Sequence, residues 1–267
     1  MRHSLSLSSF DATVDDLVEA ARVAESVGFA GAWTYDHLSG AVVGKSWTVD
    51  PWVALTAIAA ATDGIETGPM VLNAAARHPA RIAIAAASLQ QVAGGRVTLG
   101  LGAGAGADPF GAELAMVGMP VLGAAERRRR VEESVAVIRA LWRGDTDVGG
   151  AHHRLTGASG FIRPTPEPPI VVGANGPKMA ALAGRVADGV VFHHTERNVE
   201  DLAAVARDVS GDPAFTVTVE ADLDDDCLVG PGRDLMERIR TDMASYRWNP
   251  SLGVGVIERA AETLDLG

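Results

Sequence analysis

Short apolar runs alternate along this chain with longer segments whose apolar positions recur at helical spacing. Leu5 to Ser8 alternates apolar and polar side chains and predicts a first strand. Leu17, Val18, Ala21, Ala24 and Val27 then fall on one helical face, with Asp11 or Thr13 placed to cap it. Asp15 and Asp16 put carboxylates where the helix dipole favours them, and Gly28 suits the left-handed residue that ends a helix. The alternation continues with strands predicted at 29–34, 66–72, 96–101, 170–173, 189–192 and 215–220. Helices are predicted over 51–62, from Pro79 to about Val92, and over 124–142, 177–186 and 198–208. Seven strands are clear in this pattern and an eighth is not, because the apolar stretch 252–257 is broken by glycines. Strands alternating with helices imply right-handed βαβ units and a parallel sheet, closed into a barrel or left open and doubly wound. Periodicity alone does not choose between the two.

The chain length of 267 residues accommodates one large barrel and a core that needs no disulfide or structural metal. The proline-rich stretch at 163–169 reads as the return of an excursion, about 145–169, so residues 1–267 are expected to form one domain. A net charge of −11 argues against nucleic acid and anionic membrane as partners. Lys45 and Lys178 are the only lysines, so an anionic ligand must rely on arginines, these two groups or backbone amides. Cys227 is the only cysteine, which excludes an intrachain disulfide, argues against a Cys-based zinc site and suits a reducing cytoplasm. The N-terminus reads as a strand and a helix cap rather than a signal peptide, and no metal-ligand spacing stands out.

In a parallel barrel, chemistry gathers at the C-terminal ends of the strands. Four segments fall at such ends: Asp36-His37, Asn73 through Pro79, Gly102 to Asp108, and Gly173 to Pro177. His37 offers an imidazole that can pass a proton, although an ordinary loop histidine fits the same position. The glycine run at 100–106 matches a dinucleotide fingerprint only loosely, because the next helix starts some twenty residues later. It reads better as a strand end that a flat ring can approach, or as tight barrel packing. Gly173-Ala174-Asn175-Gly176-Pro177 leads from a strand into a helix and suits a phosphate, with Lys178 beside it; a plain strand–helix junction is the other reading. His193 and His194 end the sixth predicted strand, where they line a pocket or the loop surface. Arg127 to Arg130 read as a solvated helix face.

As a set, these segments resemble the luciferase-like monooxygenase superfamily. The resemblance rests on VAESVGFAGAWTYDH (23–37), TGPMVLNAAARHPARIAIAAASLQQVAGGRVTLGLGAG (67–104), RRRVEESVAVIRALWRG (128–144) and PPIVVGANGPKMAALAGRVADGVV (168–191), in order over most of 1–195. It implies an α/β fold of the TIM (β/α)8 type. The Asp-His pair resembles the branch that uses the deazaflavin coenzyme F420. By that resemblance His37 assists hydride or proton transfer at the ring, and Asp36 orients it or bonds the cofactor. Pro69, Met70 and Val71 correspond to a bulge with a non-prolyl cis peptide behind the ring. Asn73, Gly104, Ala105 and Asp108 flank the ring and tail, and Gly173, Ala174, Asn175 and Gly176 hold the cofactor phosphate. Trp47 and His193 are expected to line the substrate pocket with His37.

The implied function is hydride transfer between F420 and a small organic substrate that the sequence does not identify, in a cytoplasmic protein expected to be a homodimer. An FMN-dependent monooxygenase using reduced flavin and dioxygen is the alternative, and a non-catalytic flavin-binding protein a third reading. Two departures stand out. Ala105 replaces a glutamate that some deazaflavin dehydrogenases carry after the glycines. The segment 237–253 resembles a family helix after which further helices and a last strand are largely missing, so the barrel is expected to be shortened, incomplete or differently closed.

Overall fold

In the computed structural model, residues 1–106 and 110–266 are described. The chain runs β1 (Arg2–Leu7), α1 (Val14–Ser26), β2 (Gly31–Thr34), α2 (Pro51–Ala61), β3 (Glu66–Pro69), β4 (Leu72–Asn73), α3 (Pro79–Val92), β5 (Leu99–Gly102), α4 (Ala112–Met116) and α5 (Ala124–Arg143). It continues with β6 (Ile170–Gly173), α6 (Pro177–Val186), β7 (Gly189–His193), α7 (Val199–Ser210), β8 (Thr216–Asp222), α8 (Asp225–Val229), α9 (Pro231–Arg238), β9 (Met243–Trp248) and α10 (Gly255–Leu264).

Local chemistry sets the helix starts. Thr13 caps α1 in a reciprocal box with Asp16, and Asp50 caps α2 ahead of Pro51. The buried helix faces are rich in alanine, for example Ala20, Ala21 and Ala24 on α1 and Ala83, Ala86 and Ala87 on α3. Small side chains let these helices lie close against the strands. Trp142 ties α5 to α3 through an Nε1–H bond of 3.0 Å to the Ala83 carbonyl. Cys227 is buried, and burial pushes its thiol up to about 11, far from a reactive thiolate. Among the described residues, no helix is long and apolar enough to cross a membrane.

The strands form one all-parallel sheet in the order β3-β2-β1-β9-β8-β7-β6-β5-β4. β3 and β4 are two pieces of one stave, interrupted at a cis Met70–Val71 peptide where the resemblance placed it. The nine segments therefore make eight staves. Thr67 bridges to Val97, with Thr67 N–H bonding Arg96 O at 2.9 Å and Thr98 N–H bonding Thr67 O at 3.1 Å, and so the two ends of the sheet meet. The open doubly wound alternative fails because the Thr67–Val97 bridge joins β3 at one end of the order to the start of β5 at the other.

The expectation of an incomplete barrel is corrected. The closing stave is Met243–Trp248, which the sequence reading placed within a helix, while 252–257 belongs to a turn and the start of α10. Polarity concealed this strand. Ser245 and Tyr246 are buried, but each polar atom finds a partner on β1: Ser245 Oγ lies 2.8 Å from Ser6 Oγ, and Tyr246 Oη 3.1 Å from His3 Nδ1. Paired polar groups can occupy a barrel interior without an apolar run to announce them.

Candidate active site

The C-terminal ends of the strands open into a cleft of about 1370 Å³. Asp36, His37, Met70, Asn73, Gly104 and Ala105 line it, as do Gly173 to Gly176 and His193, so most of the candidate residues converge on one space. Others do not. Pro69 lies outside the lining, with its carbonyl directed at Gly100. Trp47 is also outside, 52% exposed, with its indole N–H 3.3 Å from the Ala12 carbonyl. From the same stretch of chain, Val43 and Lys45 line the cleft instead. Asp108 lies outside the described residues.

One wall is built from β4, β5 and β6. A Cβ on Gly100 or Gly102 would come within 2.9 or 2.5 Å of the Val71 side chain, and one on Gly173 within 3.2 Å. These glycines therefore make room first for Val71, whose branched side chain fills the surface the sequence reading assigned to a flat ring. Gly104 has φ +65, and a Cβ there would meet Asn73 Oδ1 at 2.4 Å, so only glycine lets the Asn73 amide turn inward. Asn73 Oδ1 also accepts the Ala75 N–H at 3.0 Å.

The start of α6 forms the adjoining part of this wall. Ala174 N–H is used by the sheet, bonding Val191 O at 2.9 Å, and the N–H groups of Met179 and Ala180 both return to Gly176 O. Pro177 has none to give. The amides left toward the cleft at the positive end of the helix are those of Asn175, Gly176 and Lys178. An anion seated at this helix start would meet only these amides. Arg127 and Arg128 line the cleft from the first turns of α5, where the dipole disfavours cations. Arg127 Nη1 donates to the Gly104 carbonyl.

Asp36 does not orient His37. Its buried carboxylate is gripped by Arg77, with Nε 2.9 Å from Oδ2 and Nη2 2.8 Å from Oδ1, and it accepts the Asn73 N–H at 3.0 Å. Arg77 Nη2 also reaches Asp50 at 3.0 Å. Asp36 hydrogen bonding raises the Arg77 guanidinium further, despite its partial burial. Asp36 thus pins the end of β2 to the end of β4 and to the start of α2.

The acid beside His37 is Glu113 of α4, with Oε1 3.4 Å from Nδ1; its other oxygen accepts the Leu38 N–H at 2.9 Å. Glu113 is buried at 2% exposure. The imidazole packs against Phe10 and Phe110, at centroid distances of 4.9 and 5.0 Å. Sequence reasoning missed Glu113. The one available signal was an isolated acid between small and apolar residues in Gly111–Met116.

The strand order puts β8 and β9 across the barrel from β4 and β5, and this far wall is acidic. Tyr35 Oη spans the mouth to donate to Glu220, and burial pushes both the Tyr35 phenol and the Glu220 carboxyl up. Arg247 donates Nε–H to Asp222 at 3.0 Å. Asp224 and Glu196 add further carboxylates to the lining. His193, at the end of β7, is pushed down to about 4 by burial and by Arg247, and is therefore neutral at ordinary pH.

Relatives share this architecture. An F420-dependent hydroxymycolic acid dehydrogenase of Mycobacterium tuberculosis is 32% identical over 267 residues, spanning 93% of this chain and 69% of that protein. An F420-dependent glucose-6-phosphate dehydrogenase of Beutenbergia cavernae is 36% identical over 180 residues, spanning 66% of this chain and 52% of its own. The chain therefore spans only about half the length of the latter. Among solved structures, a coenzyme F420-dependent tetrahydromethanopterin reductase from Methanopyrus kandleri superposes with a TM-score of 0.79 at 18% identity, covering 99% of each chain. An F420-dependent secondary alcohol dehydrogenase bound to an F420–acetone adduct gives 0.78 at 20% identity, covering 98% of each. At these identities the structural likeness speaks for the fold alone. The sequence match is broader: with residues 1–227 matching the luciferase-like monooxygenase family, the chain belongs to that family.

Proposed function

We propose that the protein is an F420-dependent oxidoreductase acting on an uncharged alcohol or carbonyl compound. The observation that carries this reading is the union, in one cleft, of the α6 start with an imidazole beside a buried carboxylate. The names of the sequence relatives point the same way. The donor set fits a phosphate-bearing deazaflavin. Asn175, Gly176 and Lys178 would hold the phosphate by backbone N–H groups, with Arg127, Arg128 and the Lys178 ammonium supplying charge. Val71 would back the ring. Bound there, F420 would supply hydride chemistry. His37 would hold or accept a proton at the substrate oxygen. The acidic far wall is a poor seat for an anion, since its one guanidinium, Arg247, is already paired with Asp222. A neutral substrate suits it better than a sugar phosphate.

Titrating the protein with F420 and, separately, with FMN tests this reading. Trp248 lines the cleft, so its fluorescence reports occupancy. F420 is expected to bind the more tightly. Tighter FMN binding, with oxygen consumption on reduction, would instead favour the monooxygenase reading.

The phosphate seat has its own test. A Cβ at Gly176 meets no atom within 4 Å, and its φ of 173 is ordinary extended backbone, so the fold makes no demand for glycine there. Gly176→Val is expected to melt like the wild type and to bind F420 at least tenfold more weakly, about 1.4 kcal/mol, by crowding the amides. Unchanged affinity in the folded variant would remove this loop from the phosphate site.

A further inference from the structure

We propose that Glu113 is the positioning residue for His37. It holds the imidazole with its proton on Nδ1 and leaves Nε2 bare toward the cleft as the proton acceptor. The inference rests on the functional reading above for what the bare nitrogen does, but its geometry stands apart from that reading.

His37 Nδ1 is buried and makes no regular hydrogen bond among the described residues; Glu113 Oε1 lies 3.4 Å from it. A buried nitrogen facing a carboxylate is favoured as a donor, because a bare lone pair there would face a second lone pair. With the Phe10 and Phe110 rings both packed against the imidazole, rotation that would swap the nitrogens is hindered. The imidazole stays 19% exposed although Nδ1 is buried, so Nε2 is the nitrogen left to the cleft.

Glu113 is itself held. Its Oε2 accepts the N–H of Leu38, the residue after His37, so one carboxylate fixes both the loop backbone and the ring it carries. Asp36, the neighbour in sequence, is fully engaged with Arg77 and Asn73 and cannot serve in this way. In the step so assisted, the alcohol O–H proton passes to Nε2 as the C–H bond breaks. A bound deazaflavin would supply the two-electron acceptor that balances carbonyl formation, while Glu113 would offset the charge on the imidazolium.

The test uses the full chain without cofactor. Long-range proton–nitrogen NMR of uniformly nitrogen-15-labelled protein, at alkaline pH where histidine rings are neutral, reports which ring nitrogen carries the proton. His37→Asn identifies the His37 signals by their loss. The expected wild-type result is a protonated Nδ1 and a bare Nε2. In Glu113→Leu, which removes both acceptors at similar volume, the proton is expected to move to Nε2. An Nε2-protonated ring in the wild type, or an unchanged ring in a folded Glu113→Leu, would overturn the proposal. If the leucine variant does not fold, the wild-type spectrum still decides. If the ring is as expected but F420 does not bind, the functional reading fails and the His37–Glu113 arrangement stands. If F420 binds and the ring is protonated on Nε2, the reverse holds.

Discussion

Replacing His37 by asparagine is expected to lower the single-turnover rate of F420 reduction by roughly 10²–10⁴, the contribution typical of a positioned acid–base group. Folding should hardly notice. The side chain sits at the cleft surface, still 19% exposed, and its packing partners Phe10 and Phe110 close against any planar polar group of similar size. Asparagine keeps a hydrogen-bonding head near Glu113 but offers no nitrogen that can take up a proton. Three quantities read on the same variant separate the possibilities: melting temperature, F420 affinity and single-turnover rate with a neutral secondary alcohol. Loss of affinity with an unchanged rate would make His37 a contact rather than a participant. A wild-type rate would remove it from the mechanism and leave the cleft without its proton acceptor.

Much of this site was legible before the fold was known, for a physical reason. Barrel strands deliver their C-terminal residues to one mouth, so Asp36-His37, Asn73, Gly104 and Gly176 had only to be recognised as strand-end residues to be grouped. What the sequence hid was pairing across space. Glu113 lies 75 residues from the Leu38 amide it accepts, in a helix of five residues with no periodicity to read. Tyr35 reaches Glu220 across 185 residues, and nothing in either strand marks the contact. Asp36 and His37 are adjacent in the chain, which suggested a dyad. Yet the two side chains serve different partners, Arg77 and Glu113. Trp47 misled for the opposite reason. A large aromatic near a strand end looks like a pocket wall, but its loop bonds back onto Asp11 and Ala12 and turns the ring to solvent.

The pairing of Asp36 with Arg77 yields the largest expected loss of stability. Arg77→Leu should destabilise the protein by about 3 kcal/mol, the cost typical of removing one partner of a buried ion pair. For a chain of this size that corresponds to a fall in melting temperature of roughly 6–12 °C. The lower part of the usual range applies because Arg77 is itself 23% exposed, while the Asp36 side chain left behind is only 3% exposed and keeps just the Asn73 N–H. Arg77→Lys keeps the charge but not the two-pronged grip on both oxygens, so it should fall between wild type and leucine. The double variant Asp36→Asn with Arg77→Leu should recover part of the loss, since the stranded charge is gone. Thermal unfolding of wild type, Asp36→Asn, Arg77→Leu and the double variant gives the coupling directly. Additive losses in the double variant, or a leucine variant that melts with the wild type, would mean that the β2 and β4 ends are held by the barrel itself and not by this ion pair.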